Sequence, residues 1–175
     1  MHGKRGFVTC AGLLSILAGC VVPGGGFSGQ QGPDPSTRRF INPGTMAQLD
    51  GFTHAVRVGF VTYVSGEVPL DSAGRLVGSG DLAAQAKQAF ANLDLVLRIA
   101  GNVPSDVVKV TVYVVSYHPQ DLAVIRQAAP EFFPARNPPA GVVLGVQALP
   151  QEGMLIAVDA IAQAPALFRP RAGGP

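Results

Sequence analysis

Clustered histidines, basic runs and membrane-length apolar stretches are all missing from this sequence of 175 residues. The three histidines, His2, His54 and His118, are too scattered for a ligand set, and two cysteines are too few for a thiolate metal site. No Lys/Arg run is interleaved with aromatics, so the usual footprint of a nucleic-acid-binding surface is lacking. Gly24, Gly25 and Gly26 precede no strand–helix unit of the kind that cradles phosphate. No internal repeat is apparent. These absences leave no expected metal, cofactor or nucleic-acid partner.

What is present begins with a leader. His2, Lys4 and Arg5 form a basic start, residues 6–18 are a short apolar run, and Leu17-Ala18-Gly19-Cys20 has the small residues of a cleavage site. The run is too short to span a bilayer as a helix. The order resembles the signal peptide of bacterial lipoproteins, which implies removal of residues 1–19 and lipidation of Cys20. An ordinary cleaved signal with a coincidental cysteine is the alternative. Loss of Lys4 and Arg5 takes 13 basic against 11 acidic residues to 11 against 11. The basic excess therefore belongs to the leader and does not argue for nucleic acid. Cys10 leaves with the leader and an acylated Cys20 cannot pair, so no disulfide is expected within a chain.

Residues 20–37 are rich in Gly, Pro, Gln and Ser and read as a lipidated cysteine on a flexible tether, with a span of roughly 20–25 Å. Residues 166–175 read as a disordered tail. The expectation is an exported chain, lipid-anchored to a bacterial membrane, carrying one domain over residues 38–165.

Within that domain, residues 39–42, 55–59 and 60–65 read as short strands, the third closed by Ser65, Gly66 and Glu67. Residues 71–80 read as a loop. Leu82, Ala86, Phe90, Leu93 and Leu97 then make the apolar stripe of a helix, with Gln85, Lys87, Gln88, Asn92 and Arg98 on its other side. Gly101 is placed to end it in a left-handed conformation. A β-branched strand follows over 106–117, with Val108, Val110, Val112 and Val114 on one face. A second helix carries Leu122, Ile125, Ala129 and Phe132 and is shortened or kinked by Pro130. Residues 138–162 read as two strands joined by a tight turn at Leu149-Pro150, apolar on both faces except for Asp159. The order β-β-β-α-β-α-β-β gives an α+β fold, a single mixed sheet with two helices on one face. The second sheet face needs a cover, and another copy of the chain is the economical one.

The closing segment resembles that of the Rid family (the YjgF/UK114 group, small trimeric imine/enamine deaminases). That family shows a proline-alanine-arginine opening, a leucine-proline turn and an acidic exit. Here the opening is Pro139-Ala140-Gly141, the turn Leu149-Pro150 and the exit Ala157-Val158-Asp159-Ala160-Ile161-Ala162. The resemblance covers residues 38–163, with residues 59–70 and 107–113 also matching. It implies a homotrimer with small-molecule clefts between subunits, where 2-imino acids are hydrolysed to 2-keto acids and ammonia.

That chemistry asks for a guanidinium to grip the substrate carboxylate and an acid to activate water. The resemblance puts the family's arginine at Gly141 and its catalytic glutamate at Ala157, with Asp159 kept as a second acid. A family tyrosine falls on Phe52, an asparagine on Arg126, and the serine-glycine pair on Ser65 and Gly66. Both charged handles are therefore missing, and the usual activity is expected to be lost. Arg126 or Arg136 can supply a replacement guanidinium, and Glu67 or Asp159 a carboxylate. Each also has a plainer reading: the arginines as solvated charges, Asp159 as a hydrogen-bonded acid at a subunit contact, Phe52 as core. His54 is read as structural or exposed rather than as an acid–base group. A non-catalytic, membrane-tethered trimer is the third possibility.

Overall fold

The computed structural model describes residues 37–48 and 50–164. The expected leader, the expected lipidation position Cys20, most of the expected tether and the expected C-terminal tail lie outside them. Eight principal elements follow one another: β1 (Arg38–Ile41), β2 (Ala55–Val58), β3 (Val61–Glu67), α1 (Leu82–Ala100), β4 (Val107–Val115), α2 (Asp121–Ala128), β5 (Ala140–Val146) and β6 (Ile156–Gln163). They form one six-stranded mixed sheet in the order β1-β2-β3-β6-β4-β5, with both helices on one face.

The expected closing hairpin does not exist. β5 runs parallel to β4 at the sheet edge, whereas β6 inserts antiparallel between β3 and β4. A tight turn cannot join strands that have a third strand between them. The segment around Leu149 and Pro150 instead passes over the end of β4. The parallel β4–β5 pair requires a crossover, which α2 supplies.

Side-chain alternation sorts residues into rows across the sheet. One row, Ile41, Ala55, Val64, Ala160, Val110 and Gly141, lies beneath the helices. Phe90, Leu93 and Leu97 of α1 close over this face, and Phe90 meets the ring of Phe132 at 5.2 Å between centroids. The opposite face carries the row Phe40, Val56, Tyr63, Ile161 and Lys109, then Val142 beside Thr111 and Asp159, and Leu144 beside Tyr113 and Ala157. Phe40, Tyr63, Val142 and Leu144 stand exposed there.

Local chemistry sets the ends of α1. The Asp81 carboxylate accepts from the N–H groups of Ala83 and Ala84, and Gly101 closes the helix at φ +86°. Pro130 ends α2 by opening a 3-10 turn, Pro130–Phe132.

Three expectations need correction. Gln85, read as solvent-facing, is fully buried. It donates to the carbonyls of Gly78 and Gly153 and accepts from the Leu155 N–H at 2.7 Å, fastening α1 to the start of β6. Val108 is about half exposed, because a bulge between Val107 and Lys109 places Val107 in the core instead. Phe52, for which a core position was one reading, is 74% exposed.

Candidate functional site

The pairing of Ala55 with Val64 leaves His54 beside Ser65 at the open end of the β2–β3 hairpin. There the Ser65 N–H donates to the His54 carbonyl at 2.8 Å and the Ser65 hydroxyl donates to the Thr53 carbonyl at 2.6 Å. β3 does not end at this point, as the sequence reading had it. A bulge at Ser65 and Gly66 lets pairing resume with Glu67 opposite Val158. That extra step brings the Glu67 carboxylate to His54.

His54 Nδ1 stands 3.0 Å from Oε1 and 3.1 Å from Oε2 of Glu67. Its Nε2 donates to the carbonyl of Ala47 at 3.1 Å, and its backbone N–H donates to Asn42 Oδ1. Both side chains are buried, Glu67 to 2% exposure. Burial raises the Glu67 pKa above the ordinary carboxylate value, against the hydrogen bond from His54. The hydrogen bond to Glu67 raises the pKa of His54, against burial. Both shifts make the pair hold its shared proton more tightly than separate side chains would.

Two hollows meet at this pair. A cavity of about 220 Å³ lies between α1 and the loops after β1 and β3, and His54, Glu67, Thr45, Ser72, Gln88 and Asn92 supply its polar lining. Met46, Val68, Leu70 and Leu95 supply apolar wall, and Asp71 lies at its margin, paired with the exposed Arg75. A smaller crevice is lined by Phe52, Thr53, His54, Ser65, Gly66 and Glu67. Among the described residues no group of three or more His, Cys, Asp or Glu side chains can hold a metal ion.

Of the candidate residues, the fold brings together Phe52, Ser65, Gly66 and Glu67. Ala157 is 4% exposed on the opposite face from Val158, packed in an apolar cluster with Val68, Leu70 and Met154. Gly141 pairs with Val110 on the helix-covered side, where an added Cβ would come 3.0 Å from Val110 Cγ1. The two positions therefore lie on opposite faces of one chain's sheet. Asp159 is on the open face and accepts from the Tyr113 hydroxyl at 2.8 Å, which raises the Tyr113 pKa. Arg126 is exposed on α2 and Arg136 is exposed in the loop before β5. Within one chain, Arg126 and Asp159 are separated by the sheet. His54 is the partner that the sequence reading missed. The signal was there: its distance from Ala55 and the one acid among Gly66, Val68 and Pro69 put both on one hairpin end.

Comparison with known proteins agrees with this architecture. The family model described as "Endoribonuclease L-PSP" matches residues 44–164. The chain belongs to that family, the Rid group. A rat 2-iminobutanoate/2-iminopropanoate deaminase is 37% identical over 117 residues, 66% of this chain and 82% of the relative. A RutC family protein of Pyrococcus abyssi is 34% identical over 111 residues, 63% of this chain and 84% of the relative. The crystal structure of RidA from an Antarctic Psychrobacter covers 72% of this chain and 99% of its own, with a TM-score of 0.63 at 28% identity. A Rid protein of Yersinia pestis, YyfB, is 42% identical with a TM-score of 0.56, covering 73% of this chain and 98% of its own.

Proposed function

We propose that this Rid protein is a small-molecule-binding homotrimer, lipid-anchored at Cys20 outside the cytoplasm, in which the usual hydrolysis of 2-imino acids is lost. One observation carries the loss of activity. At the position of the family's water-activating acid, Ala157 sits closed in by Val68, Leu70 and Met154. Ala157 itself offers no carboxylate at that spot, and Gly141 no guanidinium. Each missing handle removes a factor of roughly 10²–10⁴ in rate. The open sheet face, with Phe40, Tyr63, Val142 and Leu144 exposed, supports the trimer. The even balance of acids and bases after leader removal weighs against the RNA cleavage in the family model's description.

The test is an imine-hydrolysis assay on residues 21–175, with the 2-imino acid generated in place and its decay followed. Decay at the uncatalysed rate, from protein shown by light scattering to be trimeric, is the expected result. Acceleration at catalytic protein levels overturns it.

The buried contact of Glu67 with His54 favours a second reading, an active deaminase with its carboxylate relocated. Of the replacement charges, Glu67 is the one that lines a hollow beside Ser65 and Gly66. On that reading Glu67→Gln abolishes turnover while Arg126→Ala and Asp159→Ala leave it intact.

A further inference from the structure

The cavity beneath α1 is built by residues of a single chain. At about 220 Å³ it has room for roughly seven waters at ~30 Å³ each, or for a small organic molecule. Its ionisable lining is Glu67, His54 and Asp71, and no lysine or arginine is among its lining residues. An anion placed there meets the Glu67 and Asp71 carboxylates, with the nearest guanidinium, that of the exposed Arg75, already paired to Asp71. The neutral lining points the same way. Gln88 donates its amide hydrogens to the Leu70 carbonyl and to Asn92 Oδ1, and Asn92 donates to the carbonyls of Val68 and Leu70. The amide donors at this wall are thus engaged by protein acceptors. The Gln88 carbonyl oxygen has no donor among the described residues.

We infer that this cavity is a binding site for a small, carboxylate-free cation rich in N–H donors, of the amidinium or iminium class, seated against Glu67. The acceptors are the Glu67 carboxylate, the Gln88 carbonyl oxygen and the hydroxyls of Thr45 and Ser72. His54 stands behind the carboxylate and fixes its orientation through Nδ1. A planar cation with two N–H faces can address Glu67 and Gln88 together, whereas a carboxylate of the same shape presents acceptors to both and is left with the Thr45 and Ser72 hydroxyls as donors. The site stands on the geometry of this cavity and not on the activity reading above. An inactive protein can bind such a cation, and an active one can fail to.

Three planar molecules of nearly equal size separate charge from shape: acetamidinium, acetamide and acetate. Each is titrated into the trimeric protein, with the His54 ring nitrogens and the Asn92 side-chain amide followed by NMR. Four heavy atoms cap affinity at roughly tens of micromolar, so the titrations run from there into the millimolar range. Acetamidinium is expected to shift both signals saturably and to bind at least tenfold more tightly than acetamide, with acetate inert. Glu67→Gln is expected to remove that tenfold preference while leaving acetamide binding in place. Ser72→Leu, which fills the cavity from its loop side without touching the pair, is expected to abolish both. Equal or tighter binding of acetate, unmoved signals with acetamidinium, or an unchanged preference in Glu67→Gln overturns the inference. So does unchanged binding by folded Ser72→Leu.

Discussion

His54 and Glu67 share a proton whose partner proton is already assigned. The Ala47 carbonyl facing Nε2 at 3.1 Å can only accept, so Nε2 carries a hydrogen. Nδ1, against both carboxylate oxygens, then either donates as part of an imidazolium or accepts from a protonated Glu67. In both states the pair is neutral overall, which suits two side chains as buried as these.

Breaking the pair from one side leaves a buried carboxylate alone. His54→Ala is expected to cost about 3–5 kcal/mol of stability, more than an exposed histidine could lose. The double replacement His54→Gln with Glu67→Gln restores a neutral hydrogen-bonded pair and is expected to recover most of that loss. Chemical denaturation of the single and double variants measures the coupling.

The same pair predicts a pH dependence with a definite sign. The folded pKa of His54 lies above 6.5 and that of Glu67 above 4.5. Between each ordinary value and its raised one, the folded chain binds more proton than the unfolded chain. Stability present below the ordinary values is therefore lost as pH rises through the folded ones. Melting temperature at fixed protein concentration is expected to fall as pH rises above about 6.5, through the raised pKa of His54. Glu67→Gln is expected to flatten that slope; an equal slope in this variant would remove the pair as its cause.

Reinstalling the family's charges singly is expected to fail. Gly141→Arg places a Cβ 3.0 Å from Val110 Cγ1 and 3.1 Å from the Val110 carbonyl oxygen, an overpacking worth about 1–3 kcal/mol. Ala157→Glu puts a carboxylate among Val68, Leu70 and Met154, where burial raises its pKa and keeps it protonated. Neither variant is expected to accelerate imine decay, and both are expected to melt below the parent.

A charge on the open sheet face should separate the proposed subunits without unfolding them. Leu144 is 42% exposed there, beside Tyr113. Leu144→Lys is expected to shift light scattering from trimer towards monomer with an unchanged far-ultraviolet circular dichroism spectrum. A trimer that survives this change together with Tyr63→Lys would place the subunit contact elsewhere.

Periodicity made the elements legible: α1 carries an unbroken apolar stripe, and those of α2 and β4 stay readable although α2 ends before Ala129 and a bulge takes Val108 out of register. It could not make strand order legible. β5 and β6 are both apolar on both faces, and a hairpin and an insertion around β4 leave the same pattern in each strand. Gln85 was misplaced because an amide that fastens two elements looks, in sequence, like one that faces water. The candidate site was half visible. The Ser65-Gly66-Glu67 stretch stood out, but its reading as the end of a strand hid the bulge that carries Glu67 to His54.

The position of β6 also governs when this domain can form. Every other strand precedes it in the chain, yet β1–β3 and β4–β5 touch as sheet only through it. Two unfinished edges must wait until residues 156–163 arrive between them. Such long-range closure makes folding slow and late. The export proposed above fits that delay, since the hydrophobic halves have no complete sheet to join before the last strand is made.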